Sequence, residues 1–351
     1  MRGAAKKGSP NAKRADIALT TVRRRRFKTS GKIRGQRSTP AGQHRPVLLH
    51  DVLAVLDPQP GEVVVDCTVG WAGHAVELLR RVGPQGRLLG IDFDPENLPR
   101  ARERLETVGF PFRLHQGNFA GLPAVLAAEG LAAVNLVLAD LGMSSMQVDD
   151  PQRGFSYARD GPLDMRMDRS RGRTAAQLLA TISAKELQQA LQDLGDEPEA
   201  EAIAAAIVAA QRQSPLLRTG DLARVIMASA QTGKEEKSWR LHPAPTRWNL
   251  HPAARTFQTL RLLVNRELAN LEQLLRVLPS ALRPGGRAAI ISFHSGEDRL
   301  VKAAFRDGAR AGLYGRVSPE PIRANWEEYS GNPRARSAKL RWVQRALNDR
   351  A

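Results

Sequence analysis

The sequence holds one cysteine, Cys67, in 351 residues. A single cysteine forms neither an internal disulfide nor a cysteine-based zinc site. A reducing compartment is the simple reading. Aromatic residues make up only 5%, which argues against a recognition surface built mainly from stacked rings. No run of roughly 18 apolar residues is present, so no transmembrane helix is expected. No apolar stretch follows the N-terminal basic residues, so no secretory signal is expected. Acidic residues are in deficit: 36 Asp and Glu face 53 Lys and Arg, a formal net charge of +17. That balance favours polyanionic partners, nucleic acid ahead of an anionic membrane. The hydrophobic fraction of 42% supports a sizeable core and excludes a collagen-like, wholly disordered or disulfide-scaffold chain.

The charge is uneven. Residues 1–43 carry 13 Lys and Arg against Asp16 alone, which is +12 of the total. They include Arg23-Arg24-Arg25-Arg26 and lack apolar periodicity, so they read as a disordered basic tail. Three roles compete for it: an RNA-contacting arm, an organelle transit peptide, or a dispensable extension. The expected compartment is the cytoplasm, or an organelle matrix if the tail is a transit peptide.

From His44 onward the pattern changes. Residues 51–56 suit a short amphipathic helix. Residues 62–66 are a β-branched run suited to a buried parallel strand. A helix over 75–81, a strand over 87–92, a helix over 97–107 and strands over 112–116 and 135–140 follow. This cadence predicts a doubly wound α/β sheet. It stops after Leu141. Residues 174–194, 199–213 and 218–229 read as helices, and 231–252 as a loop. The α/β pattern then resumes, with one long helix over 256–278, a strand over 286–293 and a helix over 297–306. The division expected is a tail (1–43), a first α/β part (44–150), an inserted helical substrate-recognition domain (151–252) and a second α/β part (253–351).

Several segments carry chemistry. Gly70-Trp71-Ala72-Gly73-His74 follows the first strand, where a tight turn lets the backbone approach a ligand. Asp92 ends the second strand, placed to accept both hydroxyls of a ribose. Neither G-x-G-x-x-G nor G-x-x-x-x-G-K-[ST] is present, which disfavours NAD and ATP hydrolysis. S-adenosylmethionine has no phosphates and needs only the close turn and the ribose carboxylate. Paired with a basic chain, that points to nucleic-acid methylation. Asp140 ends the fourth strand, with Ser144 and Gln147 in the loop beyond it. Ser292-Phe293-His294-Ser295 with Glu297 and Asp298 mimics a hydrolase triad or metal site. No nucleophile elbow surrounds its serines, and one histidine gives no zinc spacing, so no metal is expected. The segment from Asn332 to Arg341 is basic and suits phosphate contacts or an edge strand.

Together these segments resemble the ribosomal small-subunit RNA cytosine-N4 methyltransferases, over about residues 44–345. The most specific matches are Arg153-Gly154-Phe155-Ser156, Leu163-Asp164-Met165-Arg166-Met167-Asp168, Phe257-Gln258-Thr259-Leu260-Arg261, Ser292-Phe293-His294-Ser295 with Glu297-Asp298-Arg299, and Asn332-Pro333-Arg334 with Ser337-Ala338-Lys339-Leu340-Arg341. The resemblance implies a Rossmann-like S-adenosylmethionine-dependent sheet interrupted by a helical domain. It implies methylation of the exocyclic N4 of a cytidine in the decoding region of small-subunit rRNA, within the 30S particle. Its cofactor positions fall on Ala72, Gly73, His74, Asp92, Phe119, Asp140 and Gln147. Trp71 departs from the family's more glycine-rich turn, and Met146 and Gly296 replace Pro and Leu.

The chemistry is attack of a cytosine amine on a sulfonium methyl. No Asn/Asp-Pro-Pro-Tyr/Phe/Trp motif is present, so the expected acceptors near the amine are Asp140, the Ser144–Ser145 loop and Asp164. Arg153, Arg166, Arg255, Arg299, Arg334 and Arg336 are the expected phosphate contacts. A homodimer is compatible with the sequence. The alternatives are a methyltransferase of this fold with another acceptor, or a non-enzymatic rRNA-binding assembly factor.

Overall fold

A computed structural model describes residues 46–230 and 251–347. The basic tail and nearly all of the 231–252 loop lie outside the described residues.

Seven strands form one sheet in the order β3-β2-β1-β4-β5-β7-β6. They are β1 (Val63–Asp66), β2 (Arg87–Asp92), β3 (Phe112–Gln116), β4 (Val134–Asp140), β5 (Leu282–Ser292), β6 (Tyr314–Val317) and β7 (Lys339–Arg345). The first five run parallel, while β7 is antiparallel to β5 and to β6. This is a doubly wound, Rossmann-like α/β sheet with its switch point between β1 and β4. Ligands of such sheets bind beyond the strand carboxyl ends at that point, here Asp66 and Asp140.

Alternation along the strands explains the layering. Val64, Leu88, Leu136 and Leu138 face one way, and pack with α1 (Leu49–Leu56), α2 (Gly73–Val82) and α3 (Leu98–Glu106). Val65, Leu89, Val137 and Ala139 face the other way, under α4 (Leu122–Ala128), α11 (Glu267–Ala281) and α12 (Ser295–Arg310). Both faces are apolar, so these strands read as continuous hydrophobic runs.

Between β4 and β5 lie α5 (Ser145–Asp149), α6 (Ala175–Leu179), α7 (Ala184–Gly195), α8 (Ala200–Gln213), α9 (Thr219–Ala230) and α10 (Ala253–Asn265). The helices α6 to α10 share a third core with Phe155, Leu163 and Met165. Ala253, Phe257 and Leu260 of α10 belong to it, so this core draws on residues beyond 252.

Three expectations are corrected. Residues 174–194 hold two helices, because Ser183 starts a new one with a capping box to Glu186. Residues 256–278 also hold two, because Arg266 turns left-handed at φ 52° between α10 and α11. The basic segment ending at Arg341 enters an interior strand rather than an edge: β7 pairs on both sides and Arg341 is 4% exposed.

Candidate functional site

Three acidic strand ends line the crevice: Asp66 of β1, Asp92 of β2 and Asp140 of β4. The backbone knits them together. Asp140 N donates to Thr68 Oγ1 at 2.7 Å, and Thr68 N donates to Asp66 Oδ1 at 3.1 Å. Gly70 N donates to Asp92 Oδ2 at 2.7 Å, fixing the glycine turn to β2. Asp92 Oδ1 also accepts from Asp94 N and Asn97 Nδ2. The ribose position predicted for Asp92 is therefore a carboxylate already held by its own chain, with acceptor capacity left on Oδ2.

Burial pushes all three acids upward. Asp66 rises to about 6 through desolvation, with His74 and the hydrogen bond from Thr68 N opposing. Asp92 rises to about 6 by burial, against its three hydrogen bonds. Asp140 rises to about 7 by burial, with Arg334 opposing and Glu297 adding to the rise. Buried carboxylates repel a pyrophosphate and suit a cationic, hydroxyl-bearing ligand.

The turn residues fall at the start of α2. Ala72 is fully buried and sits at φ 60°, with no side chain capping the helix there. A Cβ at Gly73 would lie 2.8 Å from Pro46 Cγ, so only glycine fits beneath that proline without a shift. His74 is buried: its Nε2 lies 2.9 Å from Val47 O, which fixes that nitrogen as the donor. Its Nδ1 then faces Asp140 Oδ2 at 3.7 Å as an acceptor. Burial lowers the His74 pKa, keeping the ring neutral. Trp71 leans onto α3, where Arg100 covers its ring at 4.6 Å and Arg104 binds its carbonyl. Phe119 is half-buried against the core under α4 and α11.

Gln147 is braced at both ends. Its Oε1 accepts from Ser144 N, and its Nε2 donates to Asp94 Oδ2. Ser144 Oγ in turn accepts from Gln147 N, so this serine is a helix cap. Asp164, expected as an acceptor near the amine, is paired within its own loop. Arg166 grips both its oxygens at 2.7 and 3.0 Å. Burial alone would raise its pKa, but Arg166 and Arg169 bring it below the usual range. An acid so paired does not hold a proton at neutral pH.

Two of the arginines expected at phosphates are engaged by the protein itself. Arg153 is 3% exposed. It binds Asp94 Oδ2 at 2.8 Å and the carbonyls of Arg166 and Met167. It is an internal brace between the β2 end and the 164–168 loop. Arg166 is the clamp on Asp164 and donates to Gly172 O. Arg255 and Arg299 meet at Asp196, the left-handed cap of α7. Arg336 is exposed, and Arg334 is half-buried with Asp140 among its charge partners. The His294 cluster is a helix cap: Glu297 binds the backbone of Phe293 and His294, and Asp298 pairs with Lys339 and Arg341 of β7.

Sequence reasoning missed Asp94 and Asn265. Asp94 is 1% exposed and anchors Gln147 and Arg153. Its only signal was its place two residues after a strand-ending acid. Asn265 ends α10 and holds the loop by Met165 O and Met167 N. Nothing local marked it.

One atom of the crevice is left for a ligand. Asp140 Oδ1 is buried and has no hydrogen-bond partner among the described residues. A buried, unmatched carboxylate oxygen at a switch point is a position for a ligand donor. Asp92, with acceptor capacity left on Oδ2, and the close turn at Ala72 and Gly73 are the residues that would hold S-adenosylmethionine.

The sheet and its acid-lined crevice define an S-adenosylmethionine-dependent methyltransferase. The model of the MraW methylase family matches residues 41–346. The chain is 41% identical over 321 residues to ribosomal RNA small subunit methyltransferase H 1 of Lachnoclostridium phytofermentans, covering 91% of this chain and 86% of that one. It is 42% identical over 317 residues to ribosomal RNA small subunit methyltransferase H of Trichlorobacter lovleyi, covering 86% and 98%. A SAM-dependent methyltransferase structure from Aquifex aeolicus aligns at TM-score 0.37 and 10% identity, over 86% of this chain and 90% of that one. The chain belongs to the MraW methylase family. Among the described residues, no helix is long and apolar enough to cross a membrane.

Proposed function

We propose that the chain methylates the exocyclic N4 of a cytidine in the decoding region of small-subunit rRNA, acting on the 30S particle in the cytoplasm. The names of the relatives support an rRNA acceptor, and the net charge of +17 suits one. The observation that carries the chemistry is the buried, unmatched Asp140 Oδ1.

Bound S-adenosylmethionine supplies an electrophilic methyl group. The remaining work falls to this chain. Asp140 Oδ1 accepts a hydrogen bond from the cytosine amine, which holds the amine and favours its pyramidal form. Alignment of the two reacting atoms supplies much of the rate. The amine becomes acidic as it gains carbon, and Asp140 takes the proton. A base with pKa about 7 is matched to that step at neutral pH. The neutral His74, with Nδ1 at 3.7 Å from Oδ2, offers an acceptor beside the newly protonated acid. The Arg334 charge steadies the carboxylate.

Trp71 favours this reading over a non-catalytic binding protein. Its ring lies against Arg100 of α3, so its bulk is carried to that side of the turn. The test is transfer of labelled methyl to small-subunit rRNA and to whole small subunits, followed by digestion to nucleosides. N4-methylcytidine is the expected product. Label in another nucleoside or in protein overturns the acceptor, and absence of cofactor binding overturns the enzyme.

A further inference from the structure

Trp326 is 81% exposed, the most exposed of the large hydrophobic side chains described. It opens α13 (Trp326–Gly331), whose cap is Asn325. Its ring lies nearly parallel to that of Tyr329, with centroids 6.0 Å apart and planes 14° apart. The Arg336 guanidinium covers Tyr329 at 5.4 Å, and Arg336 Nε donates to Tyr329 O. The result is a column of two rings and one cation, open to solvent at the tryptophan. In a chain with 5% aromatic residues, such a column in water is unusual.

Its place in the fold ties it to the crevice. Glu328 of the same helix accepts from Leu48 N at 2.7 Å. The neighbouring Val47 carbonyl holds His74, which faces Asp140. The chain beyond α13 leads through Asn332 to Arg334, a charge partner of Asp140. The helix that carries the column is therefore joined to two residues beside Asp140: to His74 through Leu48 and Val47, and to Arg334 through the chain.

We infer that Trp326, Tyr329 and Arg336 form a stacking platform for an unpaired RNA base flanking the target nucleotide. The inference rests on the rRNA reading above. A single-stranded nucleic acid fits for three reasons. Every base offers a π-face to an exposed indole. The arginine in the column answers the adjoining phosphate. An enzyme that extrudes one base must hold its neighbours. Because Trp326 is so exposed, its replacement leaves the fold intact.

The test uses the full chain with S-adenosylmethionine. Trp326→Ala and Trp326→Phe are compared with the parent by filter binding to a bare single-stranded fragment of small-subunit rRNA. The KM for methyl transfer to small subunits and the calorimetric affinity for the cofactor are measured alongside. Trp326→Ala is expected to weaken RNA binding and raise KM by about 5- to 150-fold, the equivalent of about 1–3 kcal/mol for one stacked base. Trp326→Phe recovers most of the loss, and cofactor affinity does not move. Unchanged binding of bare RNA by Trp326→Ala overturns the inference. If that variant instead loses only the assembled particle or only self-association, the partner is a ribosomal protein or a second copy, and the inference is equally overturned. If the parent binds RNA but transfers no methyl to it, the functional reading fails while the binding comparison still decides Trp326. If the parent binds no RNA, both fall.

Discussion

Replacing Asp140 by Asn is expected to make the protein more stable and less active at once. The carboxylate is raised from its ordinary 3.8 to about 7 by burial. That rise corresponds to a preference for the neutral form of up to about 4 kcal/mol. Both folded and unfolded chains carry the ionised acid at pH 8, but the folded chain withdraws most of it from water, Oδ1 completely. The amide removes that cost, so Asp140→Asn should stabilise the fold at pH 8 by about 1–4 kcal/mol. At pH 4 the folded acid is neutral and most of the gain disappears. Denaturant titrations of both proteins at the two pH values measure this directly. In parallel, single-turnover methyl transfer should fall about 10²- to 10⁴-fold, the usual contribution of a general base. Cofactor affinity, read by calorimetry, separates that loss from a binding defect. A variant less stable at pH 8, or equally stabilised at both pH values, would refute the argument that the site holds Asp140 against ionisation. A fully active variant would remove Asp140 from the chemistry.

Other consequences follow from the same geometry. Asp66, Asp92 and Asp140 all bind protons more tightly when folded. Their contribution to stability is complete below about pH 4 and is lost as pH rises through 6 to 7; pH-dependent unfolding of the parent and the Asp140→Asn variant isolates the Asp140 share. Arg153→Met leaves Asp94 buried without its cation and should cost about 3–5 kcal/mol of stability, measured by chemical unfolding. Arg299→Gln removes an exposed cation and should lower the log–log salt slope of RNA binding by about 1 while leaving stability unchanged. Gly154 sits at φ 73° with Pro162 O only 2.1 Å from a built Cβ, so Gly154→Ala should destabilise by about 3 kcal/mol or more, seen as a lower denaturant midpoint.

Much of the fold was legible because its strands are buried on both faces. The runs at 62–66, 87–92 and 135–140 have apolar centres, β-branched in the first, and each became a strand within a residue or two. The short β6 was not, because Gly315 and Arg316 are both exposed and break any apolar run. The break at Arg266 was also hidden: a left-handed arginine carries no Gly or Pro signal. In the site, Asp92 and Asp140 were readable as strand-ending acids. Arg153 was not, because its partner Asp94 comes from a different loop and only the fold brings them together. Asp164 looked like a free acid for a different reason: its partner is only two residues away, but a loop of alternating Arg, Met and Asp does not show whether Arg166 turns back on it. Local pattern reports burial and strand ends, whereas pairing of charges depends on how loops fold.

The central claim is that this crevice places a cytidine amine against Asp140 and the methyl donor. The most direct measurement is fragment mass mapping of small-subunit rRNA after reaction with the full chain and S-adenosylmethionine, with Asp140→Asn as the control. The account predicts one added methyl, on N4 of one cytidine in the decoding region, absent with the variant. A methyl on a ring carbon, a ribose or another base, or equal modification by Asp140→Asn, would contradict it.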